Sequence, residues 1–201
     1  MLRLVILERG HSWPKRLFLG AMEGISHVRA DDVLRTSIYR PRFFGHAWMR
    51  LVQSILRGPS PWSPAERELI AAMVSRLNAC PFCVGIHGGE ATLGLTRTVD
   101  SAMLENWRGA GLDPRIAAVF ELLEKRAADP DALAPDDIDR VRAAGVSDQA
   151  ISDVFYIAFI FDLINRLANS FGFTSETEEG TRKSAAVLHR FGYRPPGLLL
   201  R

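Results

Sequence analysis

The chain has 201 residues, 47% of them apolar, so it can bury a sizeable core and suits one domain with room for an N-terminal extension. Its charges nearly cancel, at a formal net of +2, and nothing in them demands an acidic partner; no nucleic acid is expected. The two cysteines, Cys80 and Cys83, are too close to staple a small secreted fold, and they point to a reducing compartment where CxxC is a metal-binding or redox motif.

Residues 1–40 show the least regular pattern and are read as an N-terminal extension that packs on the core or on a neighbouring subunit. The opening apolar run is short, stops at Glu8 and lacks a small-residue cleavage site, so it is not read as a signal peptide. The surplus of Arg and Lys over residues 1–57 is read as solvated faces around apolar stripes. Pro41 is expected to open a helix to Leu56, with Phe43, Phe44, Ala47, Leu51 and Ile55 at helical spacing, ended by Gly58-Pro59. Ser63-Pro64-Ala65-Glu66 is a capping box with proline at the first helical position. The apolar face that follows runs through Leu69, Ile70, Met73, Val74 and Leu77, and Asn78-Ala79 breaks it. Pro81 suits the first turn of a new helix toward Leu93, with Gly94 as its stop.

Asp113-Pro114 opens another helix, Asp129-Pro130 breaks it, and Pro135 opens a short helix ending near Gly145. Ser147 then caps a long apolar helix to about Asn169. Its most apolar stretch, Val154 to Phe161, lies between Asp153 and Asp162 and is too short to span a bilayer, so no membrane partner is expected and the protein is read as soluble and cytoplasmic. A polar segment from Thr174, a last short helix from Ala185 to Phe191 and a tail at Pro195-Pro196 complete the chain. No strand pattern interrupts this series. The chain is read as all-α, with an extension over 1–40, a helical core over 41–175 and a C-terminal segment over 176–201.

The chemistry concentrates at Cys80-Pro81-Phe82-Cys83, followed by His87. With Pro81 as the first helical residue, Cys80 is the N-cap and Cys83 lies in the first turn. Both thiols then meet the positive end of the helix dipole, a setting that favours thiolate. At 100° per residue, Cys80, Cys83 and His87 share one stripe, and His87 is the helical neighbour of Cys83 that can take its proton. Glu68 would lie about 18 Å from Cys80 along one continuous helix. If Asn78-Ala79 reverses the chain, Glu68 comes level with residues 87–89 and can orient the His87 ring.

Other readings of the same residues exist. The two cysteines can be inert and buried, in a helical scaffold without catalysis. Cys80, Cys83, His87 and Glu68 have the right atoms for zinc, but one helix rarely supplies three tetrahedral ligands, so no metal is expected. His11, His27, His46 and His189 have no evident partner, and Phe155, Tyr156, Phe159 and Phe161 read as core.

Taken together, Glu68, Cys80-x-x-Cys83 and His87 resemble the E-x11-C-x-x-C-x3-H signature of AhpD-like alkylhydroperoxidases, in the carboxymuconolactone decarboxylase superfamily. The flanks, from Gly58-Pro59 to Asn78 and from Gly145-Val146-Ser147-Asp148 to Asn165-Arg166, are similar to a longer, peroxidase-related branch. The resemblance covers roughly residues 35–175. It implies an AhpD-like helical domain with CxxC at a helix N-terminus, assembled as a homo-oligomer. It also implies that Cys83 attacks a small-molecule hydroperoxide, that Cys80 donates a proton and resolves the product, and that His87 and Glu68 complete a proton relay. No bound cofactor is implied. A redox partner protein, carrying a lipoyl or thioredoxin-like dithiol, would restore the pair. Phe82 departs from the histidine that better-known members place before the second cysteine. A thiol–disulfide oxidoreductase that ignores peroxide and a decarboxylase like the superfamily's namesake are the alternatives, the intact CxxC arguing against the second.

Overall fold

A computed structural model describes residues 2–174 and 177–193. The described residues form eleven α-helices and no strand: α1 (Val5–Arg9), α2 (Trp13–Ser26), α3 (Asp32–Tyr39), α4 (His46–Arg57), α5 (Pro64–Leu77), α6 (Pro81–Leu95), α7 (Ser101–Glu105), α8 (Pro114–Ala128), α9 (Pro135–Ala143), α10 (Asp148–Phe171) and α11 (Glu178–Phe191). No described helix is long and apolar enough to cross a membrane.

The caps expected from the sequence start the core helices. Ser63 and Glu66 exchange side-chain and backbone hydrogen bonds at the start of α5. Asp113 and Ser147 cap α8 and α10 through their side chains. Three boundaries differ from expectation. Pro41 opens a five-residue π-turn, Pro41–Gly45, before α4 begins at His46. Helix α6 runs through Gly94 and stops at Thr96 in left-handed conformation, φ 53°. Gly94 is instead a crossing point, where a Cβ would stand 2.5 Å from that of Ala65 on α5. Helix α11 is a full helix from Glu178, capped by Thr177, rather than a short one from Ala185; the Pro195-Pro196 tail lies outside the described residues.

Helix α5 is central. Arg67 through Ser75 are all buried, so the helix is enclosed on every side rather than along one face. It packs chiefly against α6 and α10. Ile70, Met73, Ile157 and Ile160 have no exposed surface, and each such side chain contributes about 1.5–3 kcal/mol through burial. The Trp62 indole donates to Ala150 O at 2.9 Å, which ties the start of α5 to the start of α10.

The reversal between α5 and α6 sets up the site. Asn78 ends α5, and Ala79 takes a left-handed conformation at φ 50°. Ala79 N donates to Arg76 O at 3.0 Å, and Cys80 N donates to Ser75 O at 2.9 Å. This pair of bonds is a Schellman motif, here with alanine where glycine usually stands. Cys80 thus closes α5 and, one residue before Pro81, serves as the N-cap of α6. The outcome is an antiparallel hairpin that lays α6 back along α5.

The candidate dithiol and proton-relay site

The hairpin joins two of the four residues singled out above by a direct hydrogen bond. Glu68 on α5 is completely buried, and its Oε2 lies 2.6 Å from His87 Nδ1 on α6. Arg57, at the end of α4, donates to Glu68 Oε1 at 2.6 Å. The Tyr193 hydroxyl, just past α11, donates to the same oxygen at 2.8 Å and stands 3.3 Å from His87 Nδ1. Burial pushes the Glu68 carboxyl up, but the hydrogen bond and charge of His87, then Arg57 and Tyr193, outweigh it. The group sits below its ordinary 4.5 and is ionised at neutral pH. Burial and the Glu68 charge push the Tyr193 phenol well above 10, so it stays a neutral donor.

An ionised carboxylate facing Nδ1 selects the tautomer of His87 with its proton on Nδ1. Nε2 is then the basic atom of the ring, and no described residue hydrogen-bonds it. Phe161 packs edge-on against the ring at 4.6 Å between centroids and fixes its plane. Among the described residues, no three His, Cys, Asp or Glu side chains are grouped so as to hold a metal ion.

A second carboxylate joins this group. Glu90, one turn beyond His87 on α6, pairs with Arg57 Nη2, and its Oε2 lies 2.8 Å from His189 Nδ1 on α11. Burial and the Glu68 charge push the Glu90 carboxyl up, against Arg57 and His189. Arg57, Glu90, His189 and Tyr193 were not singled out from the sequence. Arg57 had been read as part of a solvated basic face, and His189 as unpartnered. Their partners stand far apart along the chain, and no local spacing announces them.

Cys80 and Cys83 are free thiols, exposed by only 1% and 2%. Cys80 lies below the ordinary thiol value of 9.0, chiefly because the Cys83 thiol hydrogen-bonds it, with burial opposing. Cys83 is pushed well above 9.0, first as the donor in that bond and then by burial. Of the two thiols, Cys80 is therefore the more acidic. The helix start was expected to favour thiolate at both sulfurs; the two instead shift in opposite directions, since buried neighbouring thiols resist sharing two charges. The Asn165 amide pulls both thiols down. It is oriented by Asn78 Nδ2 on Oδ1 at 3.0 Å and by Ser75 Oγ on Nδ2 at 3.2 Å. His87 directs its hydrogen bonds to Glu68 and Tyr193, and the described residues contain no direct hydrogen bond from His87 to Cys83.

The thiols are sealed by apolar contacts. Leu2, Leu7, Phe82, Ile86, Ala168 and Phe173 form one buried cluster with them. Arg3 fastens the N-terminal segment down: its N–H donates to Phe171 O at 2.8 Å, and its guanidinium donates to Asn169 O at 2.7 Å. Phe82 packs edge-on against Phe173 at 5.5 Å. In place of a polar side chain before the second cysteine, the chain puts part of the seal.

Residues 44–125, which carry Glu68, both cysteines and His87, match the model of the carboxymuconolactone decarboxylase family. The fold is that of an AhpD core. It aligns with an uncharacterized peroxidase-related protein of Ralstonia eutropha JMP134, described as an alkylhydroperoxidase AhpD core, at a TM-score of 0.73 and 22% identity over 90% of this chain and 96% of that one. It aligns with an uncharacterized peroxidase-related protein of Silicibacter sp. TM1040 at a TM-score of 0.71 and 23% identity over 83% and 87%. No curated protein matches the chain in sequence. The segment 44–125 is thus similar to the carboxymuconolactone decarboxylase family, and the chain shares the all-α fold of these two solved structures.

Proposed function

We propose that this protein is a thiol-dependent peroxidase that reduces a small hydroperoxide through a Cys80/Cys83 dithiol–disulfide cycle. The observation that carries the reading is the setting of His87. An ionised, fully buried Glu68 holds Nδ1 at 2.6 Å, on the same helix as a dithiol at its first turn. A base oriented by a carboxylate beside a nucleophile is the recurring arrangement of covalent catalysis.

His87 first takes the Cys83 proton at Nε2, while Cys80 keeps its own. The Cys83 thiolate then attacks one peroxide oxygen; the O–O bond breaks, Cys83 becomes a sulfenic acid, and the alkoxide takes its proton from Cys80 to leave as alcohol. The Cys80 thiolate attacks the Cys83 sulfur, the disulfide forms, and hydroxide departs as water with a proton from His87. Two electrons have passed from the thiols to the peroxide. An external dithiol, lipoyl or thioredoxin-like, returns them by thiol–disulfide exchange.

The test is thiol titration of reduced protein against peroxide, with Cys80→Ser and Cys83→Ser alongside. Rapid loss of both thiols to an internal disulfide, abolished by Cys83→Ser, is expected. Full peroxide turnover by Cys83→Ser would refute the assignment. A second reading, dithiol exchange without peroxide, draws on Cys80 being the more acidic thiol, since the first cysteine of a CxxC is often the attacking one in such exchange. Thiols that ignore peroxide but exchange with a dithiol would favour it.

A further inference from the structure

Helix α11 lies outside the segment that matches the family model, yet it reaches the centre of the relay. Two features bring it there. Gly85 and Gly89, one turn apart on α6, face it: a Cβ on Gly85 would stand 3.2 Å from Thr181, and one on Gly89 would stand 3.1 Å from Ala185. The small residues let the two helix axes approach closely. Past the end of α11, Gly192 turns the chain at φ 65°, where a Cβ would meet Gln53 Oε1 at 2.7 Å. Tyr193 N then donates to that same Gln53 oxygen at 2.7 Å, and its ring stacks against the Arg57 guanidinium at 5.0 Å. The turn is held from both sides and aims one hydroxyl at Glu68.

We propose that Tyr193 is a positioning residue of the site: with Arg57 on the same Glu68 oxygen, its hydroxyl fixes the carboxylate so that Oε2 takes the Nδ1 proton of His87 and Nε2 is left as the base. This deepens the peroxidase reading and rests on it for its catalytic meaning. The geometry is closed on every atom. Glu68 Oε1 accepts from Arg57 and Tyr193, and Oε2 faces His87 Nδ1. Without the hydroxyl, Oε1 keeps one donor, and the carboxylate can rotate about its terminal torsion, which is broad and soft. The Nδ1 proton then loses its fixed acceptor, and both tautomers of His87 become populated. Oxygen-bound protons on Tyr193 take no part in the redox step; the residue acts through Glu68.

The experiment is long-range 15N–1H NMR of the histidine side chains in the full chain, comparing wild type with Tyr193→Phe, with circular dichroism to verify the fold. Wild type is expected to show His87 as a single tautomer protonated at Nδ1, and Tyr193→Phe a mixture. Oxidation of the thiols by peroxide should slow about tenfold in the variant, the scale of one hydrogen bond to a charged group. Gln53→Ala, which releases the arm while keeping the hydroxyl, should shift the tautomers the same way and serves if Tyr193→Phe does not fold. An unchanged His87 signature overturns the proposal whatever the rate does, because a slower rate alone is what a merely structural residue would give. Should wild-type thiols ignore peroxide while the tautomer contrast persists, the positioning role stands and the peroxidase reading falls.

Discussion

Replacing Arg57 with methionine removes the cation that Glu68 and Glu90 share while keeping much of the aliphatic stem. Both carboxylates are buried, at 0% and 2% exposure, and the Arg57 side chain itself is 12% exposed. Breaking a buried pair by deleting one partner costs about 3–5 kcal/mol, because the remaining charge stays buried and uncompensated. At about 2–4 °C per kcal/mol for a chain of this size, the melting temperature at neutral pH should fall by roughly 6–20 °C. The pH dependence identifies the cause. Without Arg57, burial and the Glu68 charge drive the Glu90 carboxyl, already raised, further up, so the folded variant binds a proton that the unfolded chain has released. Its stability therefore falls as pH rises above the ordinary 4.5, and its deficit against wild type should shrink as pH is lowered toward that value. Urea unfolding at fixed protein concentration between pH 4.5 and 8 measures both. A loss below about 1 kcal/mol, the range of an exposed ion pair, or a deficit constant across that range, would refute the view that Arg57 neutralises this group.

Two further substitutions probe the hairpin that carries the site. Ala79→Gly places glycine at the left-handed position, where alanine costs about 1–2 kcal/mol, and a net gain of about 1 kcal/mol in urea unfolding is expected; destabilisation would show that the reversal is not strained. Gly88→Ala drives a Cβ to within 2.5 Å of Val99 O, a backbone atom that cannot step aside, and should cost about 1–3 kcal/mol by the same assay; a silent change would mean the 96–100 loop gives way freely.

The legible part of this molecule was the part written in local chemistry. Ser63, Asp113 and Ser147 announced their helices because a cap is a matter of a few adjacent residues. The link from Glu68 to His87 required only that Asn78-Ala79 reverse the chain, and the reversal is itself local. The partners that surround that link were illegible for the opposite reason. Tyr193 meets Glu68 across 125 positions, and His189 meets Glu90 across 99, so neither spacing carries a helical or motif signature. The neighbours that require glycine at Gly88 and Gly89, Val99 and Ala185, likewise lie on other elements of the fold. Helix α2 escaped notice because its large residues are not where burial would put them: Trp13, Leu17 and Ile25 are all well exposed. Asn165 passed as one polar residue in an apolar helix, although its completely buried amide spans Ser75, Asn78 and the thiols.

The seal over the thiols turns access into a clock. Leu2, Leu7 and Phe173 must move before any oxidant in solution meets sulfur, so no reagent can react faster than that opening. At low concentration the observed rate rises in proportion to the oxidant. At high concentration it levels off at the opening rate, and the plateau is the same for hydrogen peroxide, a bulky hydroperoxide or an alkylating probe. Only the concentration needed to reach that plateau distinguishes one reagent from another. The strength with which Arg3 holds the end of α10 then sets the ceiling on how fast the thiols can be modified, from a position that touches neither sulfur.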